Sequence, residues 1–178
     1  MEDMDRESLN LPGPDRVAYE LARFYALTRG EIMALRWHWI EGTKERPVLN
    51  MRYREADPER GLEAWKSKRN CKYGKIVLNK SMMATWRRLV PCEEPYGYVI
   101  PATSKTGRDK VLRRVNTWLS NYIPDRTKKL HELRKQAGSE VLMRNKSPLE
   151  AAKFIRDSVE TTLNYYANLL EDVEGLSR

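Results

Sequence analysis

A chain of 178 residues is long enough for one sizeable domain, and 40% hydrophobic with 33% charged residues excludes a disordered chain. No apolar run approaches the roughly 18 to 20 residues of a membrane span, and the acidic opening MEDMDRESLN does not read as a secretory signal. The net charge of +8 favours a polyanionic partner.

In chain order, residues 1–14 read as a flexible lead-in ending at Pro12 and Pro14. Asp15 is placed to cap a helix whose apolar positions Val17, Leu21 and Tyr25 recur at helical spacing. A second short helix is expected from Arg29 to about Trp37, with Ile32 and Leu35 inward and Glu31 in its first turn. The period then changes: Val48–Tyr53, Leu62–Lys66 and Tyr73–Leu78 are short, partly alternating runs, which predicts a small three-stranded antiparallel sheet. Helices resume at about Lys80–Leu89, with Met82, Trp86 and Leu89 on one stripe, and Tyr96–Ile100 is a short extended piece. Gly107–Tyr122 is amphipathic: Val111, Val115, Trp118, Leu119 and Tyr122 face inward, with Arg108, Lys110, Arg113 and Arg114 largely off that stripe. Helices at about Lys128–Met143, Ser147–Ile155 (a Ser cap, then Pro) and Glu160–Leu170 complete the order. Helices, a small sheet, then helices predict an α+β domain, mostly helical, over residues 15–170, with a tail at 171–178. Trp37, Trp86 and Trp118 fall on apolar stripes and are expected in the core.

The charge is unevenly distributed. Residues 64–146 carry 20 Lys and Arg against 6 Asp and Glu, whereas both ends are mildly acidic. Such a block suits nucleic-acid phosphates, because each phosphate neutralised releases condensed counterions. A solvated basic surface is the plainer alternative. Cys71 and Cys92 sit in no metal-like spacing, and His38 has no ligand partner nearby in sequence, so no metal is assigned and a reduced, intracellular protein is expected.

Three local patterns carry chemistry. In His131-Glu-Leu-Arg134 an imidazole and a guanidinium share one helix face and can hold a phosphodiester, the arginine bidentate and the histidine as donor or proton carrier. In Thr161-Thr162-Leu-Asn-Tyr165-Tyr166, a tyrosine hydroxyl can act as covalent nucleophile. The third, Leu27-Thr28-Arg29-Gly30-Glu31-Ile32-Met33-Ala34-Leu35-Arg36-Trp37, alone says only short helix with a charged start. Each alone is weak, since a solvated helix face or a packed tyrosine would look the same.

Together and in this order, over residues 15 to 170, they resemble the tyrosine recombinase (phage integrase) family. There a GxRxxE segment opens the catalytic domain, and a three-stranded sheet, an HxLR box and a nucleophilic tyrosine after a TT pair follow. The resemblance implies that Tyr165 attacks a DNA phosphodiester to form a 3′-phosphotyrosyl link, and that His131 and Arg134 cradle the scissile phosphate. It implies a lysine general acid on the hairpin between the second and third strands. Lys66 in Trp65-Lys66-Ser67-Lys68 is the choice, Lys68 the close second, and Lys72 a further basic residue there. Arg108, Lys110, Arg113, Arg114, Lys68 and Lys72 are expected on phosphates of double-stranded DNA and not on base edges. No cofactor is implied. In the family a tail like the one carrying Leu169, Leu170 and Val173 often packs on a neighbouring protomer, which would make a homo-oligomer on DNA; packing on its own domain is the alternative. The setting implied is cytoplasmic and DNA-associated, in a phage, plasmid or prokaryotic mobile element.

The sequence departs from the family at two positions. The first arginine, three before Glu31, is Thr28; Arg29 is adjacent but rotated by about 100° along a helix, and it takes the catalytic place only if the backbone shifts. The position nine before the nucleophile, usually His or Trp, is Arg156, which can still donate to a phosphate. Loss of one preorganised donor typically costs about a hundred- to a thousandfold in rate, so impaired cleavage with DNA binding retained is the expectation. The alternative is a catalytically inactive DNA-binding accessory or regulatory relative of a recombinase.

Overall fold

The computed structural model describes residues 2–51, 59, 75–92, 94, 96–102, 104–145 and 147–166. The first helix, α1 (Glu2–Glu7), and a 3-10 turn at Ser8–Asn10 occupy the expected lead-in. This segment is anchored, because Met4 is buried and Asp5 accepts from both Tyr19 and Arg23, while Glu7 accepts from Tyr122. The long central helix α2 (Gly13–Tyr25) buries Val17, Ala18, Leu21 and Ala22. It starts at Gly13 behind Pro12, so Asp15 lies inside its first turn and is no cap. The Asp15 carboxylate instead takes a bidentate ion pair from Arg114, at 2.8 and 2.6 Å.

Helix α3 (Arg29–Ala34) is shorter than expected, and a 3-10 turn at Trp37–Trp39 follows. The chain then enters a three-stranded antiparallel sheet, β1 (Ile40–Gly42), β2 (Pro47–Asn50) and β3 (Lys75–Val77), in the order β1-β2-β3. Among the described residues the sheet has three strands; β1 precedes the runs chosen from the sequence, and Leu62–Lys66 lies outside the described residues. Ile40, Leu49 and Ile76 stand in register across the sheet. Leu49 and Ile76 are buried in the core, whereas Val77 on the other face is 54% exposed. Gly42 turns the β1–β2 hairpin at φ 90°, where a Cβ would meet the Arg46 carbonyl at 2.5 Å, so a side chain there is excluded.

Four further helices complete the order with α4: α4 (Lys80–Leu89), α5 (Lys105–Trp118), α6 (Lys129–Asn145), α7 (Pro148–Ile155) and α8 (Val159–Tyr166). Asn79 caps α4 through the Ser81 and Met82 amides, Ser104 caps α5, and Ser147 caps α7 ahead of Pro148. Residues 96–100, expected as a short extended piece, make only an isolated bridge at Tyr98 with Arg36, with Trp37 N–H donating to the Gly97 carbonyl and Val99 N–H to that of Leu35. α2 packs against α4, α5 and α6, and α6 against α7, so the fold is an α+β domain, mostly helical, built round α2. Trp86, fully buried, donates its indole N–H to Glu20 at 2.5 Å and meets Tyr25 edge-on. Trp37 is buried as well, and Trp118 is half-buried against Tyr19. Among the described residues, no helix is long and apolar enough to cross a membrane.

Candidate phosphate and nucleic-acid site

The site is built where α2 ends. Ala26 closes that helix in the left-handed region, at φ 52°, which turns its carbonyl outward from the helix axis and away from the regular hydrogen-bond ladder. Two guanidiniums converge on this carbonyl from distant parts of the chain. Arg134, on α6, donates through Nη1 to Ala26 and through Nη2 to the carbonyl of Ile155. Arg156, at the C-terminal cap of α7, donates through Nη2 to Ala26 at 2.8 Å and through Nη1 to Tyr25 and Phe154 at 3.2 Å. Both are buried, at 5% and 3% exposure. Asp157 stands 4.0 Å from Arg134, a long-range ion pair at the edge of the cluster.

Glu31 supplies the compensating charge. Its Oε2 lies 3.1 Å from Arg156 Nη2, and the same oxygen accepts the Thr28 amide at 2.7 Å. Thr28 Oγ1 in turn accepts the Glu31 amide at 3.3 Å, so Thr28 and Glu31 form a capping box at the start of α3. Burial alone would raise the Glu31 carboxyl pKa; Arg156, the Thr28 amide and Arg134 outweigh it and hold the group below its ordinary value. Threonine at the position of the family's first arginine therefore serves the helix start, and its hydroxyl is engaged there.

Arg29, the neighbouring arginine, points elsewhere. It pairs with Asp109 on α5, whose other oxygen accepts from Arg113 at 2.8 Å. Arg29 thus does not join Arg134 and Arg156 in the described arrangement. His131 shares α6 with Arg134 but remains exposed to solvent. Partial burial, then Lys135 and Arg134, lower its pKa from the ordinary value.

Tyr165 lies in the last turn of α8, the helix that packs against α7; its side chain falls outside the described part of the structure. The helix starts on a side-chain motif in which Ser158 Oγ accepts the Thr161 amide at 3.0 Å, while Thr162, fully buried, donates its hydroxyl to the Ser158 carbonyl at 2.9 Å. The TT pair thus fixes the start of the tyrosine helix. Lys66, Lys68 and Lys72 lie outside the described residues, as do Leu169, Leu170 and Val173.

Of the four basic residues expected on α5, Arg108 is corrected. It is 7% exposed, donates to the carbonyls of Met33 at 2.9 Å and Ala102 at 2.9 Å, and sits 3.4 Å over the Tyr98 ring. Its position follows from spacing: residues 108, 112, 115 and 119 form one helical stripe, and the last three are buried Leu112, Val115 and Leu119. Arg108 pins α5 to α3 and to the 96–102 segment. Lys110 and Arg113 are exposed, and Arg114 shares its charge with Asp15.

The sequence reading missed Arg23, which is buried between Asp5 and Glu140 and ties α1, α2 and α6 together. It also missed the Thr28–Glu31 box, whose T-x-x-E signature was available. Among the described residues, no group of three or more His, Cys, Asp or Glu could hold a metal ion. No protein-family model, curated protein or solved structure matches the chain.

Proposed function

We propose that this chain is a double-stranded-DNA-binding domain of the tyrosine recombinase type in which strand cleavage and rejoining through Tyr165 is impaired. The observation that carries this reading is the convergence of Arg134 and Arg156 on the Ala26 carbonyl, with Glu31 paired to Arg156. Glu31 and Arg134 come from two of the three stretches on which the resemblance rests, Arg156 stands nine residues before Tyr165, and α8, bearing Tyr165, packs on α7, which Arg156 caps. Supporting it, exposed Lys105, Lys110 and Arg113 line the solvent side of α5.

The impairment follows from how the positive groups are engaged. A phosphoryl-transfer site needs preorganised donors aimed at the equatorial oxygens as charge develops there. Thr28 carries no charge, Arg29 is paired with Asp109, and Arg134 and Arg156 already donate to buried internal acceptors. The same engagement favours a second reading, an accessory or regulatory relative that holds DNA without cleaving it. In both, the exposed cations contact the phosphate backbone, where contacts give register but little sequence preference.

A salt series with a random-sequence duplex tests the DNA-binding core of the proposal. Binding is expected to weaken linearly in log–log form, with a slope near −0.9 for each phosphate neutralised. Lys110→Ala is expected to make that slope shallower by about 0.9 and to weaken all sequences alike. A wild-type affinity indifferent to salt, or a Lys110→Ala loss confined to one sequence, would overturn the assignment.

A further inference from the structure

Asp109 is the one acidic residue in the sequence of α5, set among Lys105, Lys110, Arg113 and Arg114. Residues 105, 109 and 113 fall one turn apart and share a helix face. On that face the carboxylate divides its two oxygens: Oδ1 accepts from Arg29 Nη2, and Oδ2 accepts from Arg113 Nε at 2.8 Å. Two guanidiniums bridged by the two oxygens of one anion is also how two arginines would share the non-bridging oxygens of a phosphodiester.

We propose that Asp109 is a built-in competitor for DNA phosphate: its carboxylate occupies an anion site formed by Arg29 and Arg113, and a phosphodiester displaces it on binding. The inference rests on the DNA-binding reading above and deepens it. Arg29 and Arg113 keep 46% and 74% of their side-chain surface exposed, so an incoming anion reaches both without opening the core. Hydrogen bonds from Arg29 and then Arg113 hold the Asp109 carboxyl below its ordinary pKa, so the competitor stays ionised through the neutral range. Exposed ion pairs contribute little net stability, which makes exchange of carboxylate for phosphate nearly balanced. The consequence is selectivity. An isolated phosphate contact does not repay the broken pairs, whereas a duplex whose backbone spans both arginines does.

Duplex binding by Asp109→Asn across a salt series tests this, with thermal unfolding of each variant as a check on the fold. Asp109→Asn is expected to bind about three- to tenfold tighter near physiological salt, with a log–log slope steeper by up to about one, as one opposing charge leaves the surface that faces the phosphates. Asp109→Glu, which keeps the charge, should stay near the wild-type slope. Asp125→Asn makes the same change in net charge at an exposed site and should give a clearly smaller gain. Adding Arg29→Ala to Asp109→Asn should remove most of the increase. If the wild-type protein binds duplex DNA but Asp109→Asn matches it, or Asp125→Asn gives an equal gain, the competitor role is overturned and the DNA reading stands. If the wild-type protein shows no salt-sensitive duplex binding, both fall together.

Discussion

Arg156→Ala is expected to lower the unfolding free energy by about 3–5 kcal/mol, because it strips the counter-charge from a buried carboxylate. Glu31 is 6% exposed, and Arg156 is its ion-pair partner. Without that guanidinium the carboxylate must protonate or draw in water, and the carbonyls of Tyr25 and Phe154 lose a donor. At this chain length, about 2–4 °C of Tm accompanies each kcal/mol, so a fall of roughly 6–20 °C should appear in a thermal scan. Arg156 also sits at φ 52°, a conformation that costs a residue with a Cβ about 1–2 kcal/mol. Arg156→Gly relieves that strain and should therefore be less damaging than Arg156→Ala by about 1 kcal/mol.

The same pair sets an acid dependence. Glu31 has a folded-state pKa below its unfolded value, so its contribution is fully present above the unfolded pKa and is lost as pH falls through the folded one. Wild-type stability should drop as pH falls below the ordinary carboxylate range, and part of that drop should be missing in Glu31→Gln. An Arg156→Ala variant within 1 kcal/mol of wild type would mean that the buried pair is not holding this corner together.

Arg134→Ala should be nearly as costly, at about 3 kcal/mol, for a different reason. Its guanidinium bridges the end of α2 to the end of α7 through the Ala26 and Ile155 carbonyls, and hydrogen bonds to charged donors contribute about 1.5–3 kcal/mol. Both arginines use the Ala26 carbonyl, so the two losses should not add; a coupling of about 0.5–3 kcal/mol is expected in a double-mutant cycle followed by urea unfolding. Additive losses, or an Arg134→Ala variant as stable as wild type, would mean that Arg134 is not part of this clamp.

Much of the helical framework was legible because its local signals agree. The Met82–Trp86–Leu89 stripe marks α4 at Lys80–Leu89, and Ser147-Pro148 marks the start of α7. The sheet was harder. Ile40-Glu-Gly42 follows a Trp-His-Trp turn and is too short to show alternation, so β1 was left unassigned between the helix ending near Trp37 and the run starting at Val48. The lead-in was misjudged for a similar reason: its anchors, Asp5 to Arg23 and Glu7 to Tyr122, are tertiary and leave no periodic trace.

At the candidate site the sequence supplied the identities but not the directions. Linear distance hides that Arg134 and Arg156 share one carbonyl, and charge alone does not reveal that an arginine is buried. Arg108 shows this most plainly, since a basic side chain on an apolar stripe was counted as surface. The basic block of residues 64–146 accordingly overstates the surface field, because Arg108, Lys129 and Arg134 are buried within it. The Thr28 position was identified as a departure from the family pattern, and the capping box supplies its physical reason.

The most direct measurement is a trapping assay with nicked duplex substrates, in which a cleaved strand diffuses away and leaves any phosphotyrosyl link in place. The account predicts salt-sensitive duplex binding with at most a trace of covalent adduct, that trace disappearing in Tyr165→Phe. Efficient adduct formation through Tyr165 would contradict the impairment, and an absence of duplex binding would contradict the recombinase-like reading itself.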